Sequence, residues 1–378
     1  MPFQARRLES IDAVEAAAWN ALAGTDCPFL RHEFLAALEH SQSVGAGTGW
    51  QPTHLVIEDN HGIAAAAPAY FKTDSWGEFV FDFAWARAHG EAGLPYYPKL
   101  VLAVPYSPVT GARLLLRPDA DPALKVALLG AATSLVQERE LSSAHVLFPD
   151  AADLALCIAA GWLPRRDCQF HWENRGYVDF EAYLATFTAE KRKKARRERR
   201  RVEEAGIRFR TLHGPDLTPA LLETVYAFHE LTFLRHGHIP YLNRACFAEL
   251  ARTIGDRLMV KLALQGEEPV AAAIFFRSDR VLYGRYWGSH DDFHSLHFEC
   301  CYHQGIEYCI EHGLERFEPG TQGEHKISRG FGAAITASAH YIAEPRFRRA
   351  IADFLAREGK AVSAYADEVD RHTPFRKP

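Results

Sequence analysis

Apolar residues recur at helical spacing from Val14 to Ala23 and again from Glu33 to Gln42, after which the pattern shortens to runs of strand length. THLVIED (53–59) and GIAAAAPAYF (62–71) flank Asn60-His61-Gly62, which predicts a hairpin. EFVFDF (78–83), KLVLAVP (99–105) and ARLLL (112–116) read as further strands. A helix is expected from Pro122 to Arg139, a strand at AHVLF (144–148), and a helix from Ala151 to Ala160 closed by Gly161. The order then repeats loosely. GIRFRTL (206–212) reads as a strand, Pro219 to Arg235 and Ala245 to Thr253 as helices, and LMVKLALQ (258–265) and PVAAAIFF (269–276) as strands joined by Gly266-Glu267-Glu268. VLYGRYWG (281–288) is the next strand, Leu296 to His312 a helix, and LERFEP (314–319) a strand. Helices followed by an antiparallel meander and then strand, helix, strand predict an α+β fold with a mixed, mainly antiparallel sheet in each half. The halves are placed at residues 1–175 and 176–378.

Length agrees with two cores, since 378 residues exceed what one usually organises. Hydrophobic residues make up 48% and charged residues 24%, which argues against long disordered arms. A net charge of −5 excludes a generally basic nucleic-acid binder. Seven scattered cysteines without CxxC spacing read as buried free thiols in a reducing compartment. No apolar leader and no run of about 18 apolar residues is seen, so the expected location is the cytoplasm, without a membrane span.

The charge is uneven. KRKKARRERRR (191–201) holds nine Lys or Arg in eleven residues, interrupted by Ala195 and Glu198. Glu203-Glu204 and Gly206 would end a helix there, with Lys194, Arg197 and Arg201 on one side and Arg192, Arg196 and Arg199 or Arg200 partly round the axis. A solvated helical face explains this tract as readily as a phosphate cradle built on Lys191, Lys194, Arg197 and Arg201. An anionic acceptor, or tRNA, would suit the cradle.

Farther on, Glu299, His303 and Glu307 share one face of the expected helix; a structural histidine held by Glu299 or Glu307, and a carboxylate near the helix start, account for them without chemistry. EPGTQGEHKISRGFG (318–332) follows. Gly320, Gly323, Gly330 and Gly332 permit positive φ and a close approach of ligand to backbone. Lys326 is the best catalytic candidate, because a fixed cation stabilises the oxyanion formed when an amine attacks an acyl ester. His325 or Glu324 would take the amine proton. A surface loop with solvated charges is the bland alternative. GAGTG (45–49) satisfies neither GxxxxGK[ST] nor GxGxxG, GxSxG and HExxH are absent, and His236, His238 and Cys246 do not form a zinc pattern, so no metal is assigned.

PYYPKLVLAVPYSPVTG (95–111), KRKKARRERRR, YWGS (286–289), LHFE (296–299) and GEHKISRGFG (323–332) together resemble the FemAB-like predicted N-acyltransferases, a group of the bacterial GNAT superfamily. The resemblance spans about residues 95 to 345. It implies tandem GNAT-like domains and amide formation on an amine acceptor, with Lys326 matching the lysine that follows a glycine-rich stretch in relatives that move amino acids from aminoacyl-tRNA onto a peptidoglycan precursor. In acetyl-CoA-dependent GNAT domains a Q/R-x-x-G-x-G/A loop precedes the central helix; here HDDFHSLH stands there, and Asp291 and Asp292 would repel a pyrophosphate. The reading is therefore an acyl or aminoacyl transferase with aminoacyl-tRNA or acyl-CoA as donor. Lys326, His325, Glu324 and Glu299 are its catalytic candidates. Tyr96, Tyr97, Tyr106, Arg285, Tyr286, Arg329, Gly320 and Gly323 are its substrate-binding candidates, with core packing of the aromatics the competing account. An acetyl-CoA-dependent N-acetyltransferase and a non-catalytic nucleic-acid-binding protein are the alternatives.

Overall fold

The computed structural model describes residues 5–291, 293–321 and 323–376. The chain forms two compact units: residues 1–168 with 335–364, and residues 169–334 with 365–378. This differs from a single division at residue 175. The stretch after the glycine segment returns to the first unit because Ser338–Ile342 pairs antiparallel with Ser143–Leu147, and Ile351 and Leu355 pack with Trp85 and Tyr96.

In the first unit the predicted hairpin forms, with Asp59 opposite Gly62, inside a sheet of the strands Ala5–Leu8, His54–Asp59, Gly62–Ala67 and Leu115–Leu116. Pro68 has no N–H to give a ladder, so the apolar run 62–71 is two strands, Gly62–Ala67 and Ala69–Lys72. The second strand belongs to another sheet, beside Trp50–Pro52 and Lys99–Leu102. The helix Ala123–Glu138 covers the core formed by Leu55, Ala65, Leu100, Leu128, Val136 and Val146.

EFVFDF is not a strand. Its two acids are buried beside Lys99 Nζ, which donates to Glu78 Oε2 at 2.9 Å and to Asp82 Oδ2 at 2.5 Å. A charged network folds this segment into a loop, and Phe83 starts the helix Phe83–Glu91. Tyr96 and Tyr97 belong to the same network, donating to Asp82 and meeting Ser75, while Tyr106 donates to the Ser43 carbonyl. These three tyrosines pack within the first unit, whereas Lys326 belongs to the second.

The second unit carries a sheet in the order Ile207–His213, Leu258–Gln265, Glu268–Arg277, Val281–Ser289, Arg316–Glu318 and the end of Leu163–Glu173. All neighbours are antiparallel except Val281–Tyr283 beside Arg316–Glu318. The helix Pro219–Arg235 presses so closely on the strand Val281–Ser289 that a Cβ on Gly288 would lie 1.7 Å from the Phe228 carbonyl oxygen. On the opposite face Phe317, Phe275, Trp172, Tyr183, Ile306 and Phe331 build one core. Helices and mainly antiparallel strands thus alternate in each unit, the α+β class expected of the chain. None of the seven cysteines is joined in a disulfide; Cys168 and Cys301 are half-buried and the others buried. Among the described residues, no helix is long and apolar enough to cross a membrane.

Candidate active site

The parallel pairing in the second unit covers only Val281↔Arg316 to Tyr283↔Glu318. Beyond it the strand runs on to Ser289, and a cavity of about 130 Å³ opens beside Gly284, Arg285, Tyr286, Trp287 and Pro319. Arg285 is the extra residue of a bulge, because Ile274 faces Tyr286 while Phe275 faces Gly284. A bulge re-aims side chains next to a site. The cavity's other wall is His297, Cys301 and Tyr302, from the predicted helix 296–312. That helix is not uniform: Leu296–Phe298 is followed by a π-turn, Glu299–His303, and then by the α-helix Gln304–Glu311. Such a bulge shifts the phase of the side chains before it relative to those after it.

The glycine segment supplies the third side. Glu324–Arg329 forms a short 3₁₀ turn between Gly323 and Gly330, whose φ angles of 107° and 88° suit glycine. Gly320 is also left-handed, at 91°, whereas Gly332 is not in that region and begins a strand. Lys326 is buried, and its Nζ donates to the Gly320 carbonyl at 2.7 Å. Burial draws its ammonium down to about 7, Arg285 adding to the effect and Cys301 opposing it. Lys326 is thus within electrostatic reach of two cavity-lining residues. His325 is exposed at its backbone turn, but its Nε2 lies 2.8 Å from the Tyr302 hydroxyl. Burial, then Arg329 and Lys326, hold its pKa below the ordinary value, so the ring is neutral at pH 7 and able to accept a proton.

Arg329 ties this loop to the basic helix, which forms as Ala189–Glu204. Its guanidinium donates to Glu198 at 2.7 and 3.1 Å and to the His325 carbonyl at 2.6 Å, and lies 3.5 Å over the Phe298 ring. Its own carbonyl accepts from Tyr183. His303 is held by Glu198, at 3.2 Å, rather than by Glu299 or Glu307. Those two carboxylates take Arg199 instead, at 3.2 and 2.7 Å, and Gln304 donates to both. Glu299 therefore anchors the basic helix, and Arg199 is turned inward. Glu324, exposed, accepts from Tyr365. Arg201 contacts His294, while Lys194 and Arg197 point to solvent and Lys191 is half-buried.

The structure thus brings Lys326, His325, Arg329, Gly320, Gly323, Arg285 and Tyr286 into one neighbourhood. Within the second unit Glu299 is turned to Arg199 and Glu324 to Tyr365, and the three tyrosines belong to the first unit. The sequence assigned no site role to Tyr302, His297 or Glu198: Tyr302 reads there as an apolar contact of the helix and Glu198 as a break in the basic run. Asp291 is exposed ahead of the helix entrance, and Asp292 lies outside the described residues.

A family model described as peptidoglycan biosynthesis/recognition, FemAB-like, matches residues 10–377. The chain belongs to the FemAB-like family. Its fold is similar to that of FemX, with a TM-score of 0.55 at 10% identity over 92% of this chain and 100% of that one. L-PGS from Bacillus licheniformis is similar with a TM-score of 0.52 at 12% identity, over 86% and 96%. A conserved protein from Bacteroides thetaiotaomicron gives 0.53 at 10%, over 90% and 100%. At such identities these likenesses concern the fold alone. No curated protein matches the chain.

Proposed function

We propose that this FemAB-like chain is an N-acyltransferase that forms an amide on an amine acceptor, with a peptidoglycan precursor or a related anionic molecule as the acceptor. The observation that carries the reading is Lys326: a buried lysine on a glycine-framed turn, within electrostatic reach of a cavity that opens where two parallel strands part. The acceptor nitrogen attacks the acyl carbon, the carbonyl oxygen gains charge opposite the Lys326 ammonium, and the bond to the donor's oxygen or sulfur breaks. Neutral His325 takes the proton that the nitrogen loses. The exposed cations Lys194 and Arg197 of the basic helix meet phosphate on the acceptor or on a tRNA donor.

The test is direct. Purified chain is incubated with acyl-CoA or aminoacyl-tRNA donors and amine acceptors, and the amide is sought by mass spectrometry. Formation by the wild type and its loss in Lys326→Met support the reading; equal rates for the two remove Lys326 from the reaction. Thermal protection by CoA would favour acyl-CoA over aminoacyl-tRNA as donor.

A further inference from the structure

We propose that Tyr302 is the catalytic residue that receives the acceptor's proton, and that it hands its own proton to His325, which releases it to solvent. The inference rests on the acyl-transfer reading and deepens it, because His325 then acts through the tyrosine and not on the substrate itself.

Tyr302 lines the cavity, whereas His325 is not among the residues of its wall. The Tyr302 hydroxyl lies 2.8 Å from His325 Nε2. In a neutral imidazole one nitrogen donates and the other accepts, so with the ring proton on Nδ1 the hydroxyl donates to Nε2. Its oxygen keeps lone pairs for the cavity. A proton leaving a nitrogen there meets the phenol before it meets the imidazole.

The fold sets up this order. The π-turn Glu299–His303 adds one residue to the helix, which turns the side chains before it by roughly 100° relative to those after it. Glu299 meets Arg199 and His303 meets Glu198, while Tyr302 faces the cavity with its ring against Phe298 and Phe331. Tyr302 is buried, and the turn Glu324–Arg329 leaves His325 exposed. The pair therefore leads from the cavity to solvent.

Its direction follows from the charges. Burial, then Arg329 and Lys326, disfavour the imidazolium of His325, so it passes its proton on to water. His297, the histidine on the cavity wall, is a poorer acceptor, since burial first and then His325, Arg329 and Lys326 bring it down to about 4. Burial and Cys301 hold the Tyr302 phenol above its ordinary value, so it stays neutral and gains one proton as it loses another.

The lone pair of the acceptor nitrogen bonds the acyl carbon, and the carbonyl π pair moves to oxygen. As the carbonyl re-forms, the donor's sulfur or oxygen leaves with the pair of the broken bond. The nitrogen's proton passes to Tyr302 Oη, the phenol proton passes to His325 Nε2, and the imidazolium yields one proton to water. A leaving thiolate stays ionised; a leaving alkoxide takes a proton back from water.

Single-turnover amide formation by the full chain tests this, with acetyl-CoA or glycyl-tRNA as donor and Nα-acetyl-lysine as the amine. Tyr302→Phe keeps the ring and its packing; it and His325→Gln should each lower the rate constant by about a hundredfold or more. Two residues of one relay act as a unit, so the double variant should lose no more than the worse single one. In mixtures of light and heavy water the wild-type rate should fall along a curve, because two protons move together, and this series depends on no variant. An unchanged rate in Tyr302→Phe, losses that multiply in the double variant, or a straight line for the wild type would each overturn the relay. A wild type that forms no amide would instead sink the acyl-transfer reading, and the relay with it. Nitrogen-15 NMR of labelled histidine needs no substrate: His325 Nε2 should be the unprotonated nitrogen, and a proton found there would overturn the stated direction.

Discussion

Glu198, an acid inside the basic tract, holds Arg329 of the glycine segment in a bidentate ion pair at 2.7 and 3.1 Å, with both side chains buried. Arg329 in turn holds the His325 carbonyl, so the turn carrying His325 and Lys326 is fastened to the helix that offers cations to solvent. Removing one partner of a buried pair leaves the other charge uncompensated, which typically costs about 3–5 kcal/mol. Glu198→Ala should lower unfolding free energy by about that much in urea titrations. A loss below about 0.5 kcal/mol would show that Arg329 finds water instead.

Lys326 gives a pH signature. Burial lowers its pKa from 10.5 to about 7 in the folded chain, so the ammonium is present below about 7 and lost above it. If the cation stabilises the oxyanion, kcat falls as pH rises through about 7. Stability moves the other way. Between about 7 and 10.5 the unfolded chain binds more protons than the folded one, so unfolding free energy rises with pH across that window. Lys326→Met should abolish this rise and lower kcat by roughly a hundred- to a thousandfold, the usual effect of losing one oxyanion donor. A kcat profile that is flat from pH 6 to 9 would sink the cationic role.

Much of this was legible in the chain, and the failures have physical causes. The strands from Leu258 to Ser289 are continuous apolar runs bounded by turns, and the pattern located them to within a residue or two. The strand Gly332–Ile342 escaped notice because Thr336, Ser338 and His340 are polar yet buried. EFVFDF misled in the opposite sense: its alternation is genuine, but Glu78 and Asp82 turn inward to Lys99. In the site, the glycine frame pointed to Lys326 and His325. Tyr302 did not show, since a single 3.6-residue period cannot reveal a π-turn. Glu198 looked like a dilution of the basic run, and only the fold shows that it faces Arg329.

The outer face of the basic helix separates a phosphate cradle from a solvated surface. Arg196 pairs with Glu181, Arg199 with Glu299 and Glu307, and Arg200 with Glu204, whereas Lys193, Lys194 and Arg197 point to solvent. If tRNA binds there, the slope of log K against log salt should shrink by roughly 1.4 to 1.8 in the double variant Lys194→Gln, Arg197→Gln, at about 0.7 to 0.9 for each phosphate left unneutralised. Fluorescence anisotropy with labelled tRNA at several salt concentrations measures it. An unchanged slope means that the face is only solvated.

In the first unit, Glu78 makes a prediction that needs no substrate. Its Oε2 accepts from Lys99 while Oε1 has no partner, and burial, with Asp82 adding to it against the pull of Lys99, pushes its carboxyl up from 4.5 to about 7. Between those values the folded chain binds more protons than the unfolded one, so this group makes stability fall as pH rises from about 4.5 to 7. Asp82 contributes in the opposite sense and at lower pH: although burial would raise it, Lys99 and His145 bring it down to about 2, so its contribution is lost only as pH falls below about 3.8. Glu78→Gln keeps the shape and hydrogen-bonding capacity of the side chain but cannot ionise. It should flatten the decline between pH 4.5 and 7 while leaving the loss below pH 4 in place. Thermal unfolding of both chains across that range decides it, and parallel curves would mean that Glu78 is ionised in the folded protein and fully compensated by Lys99.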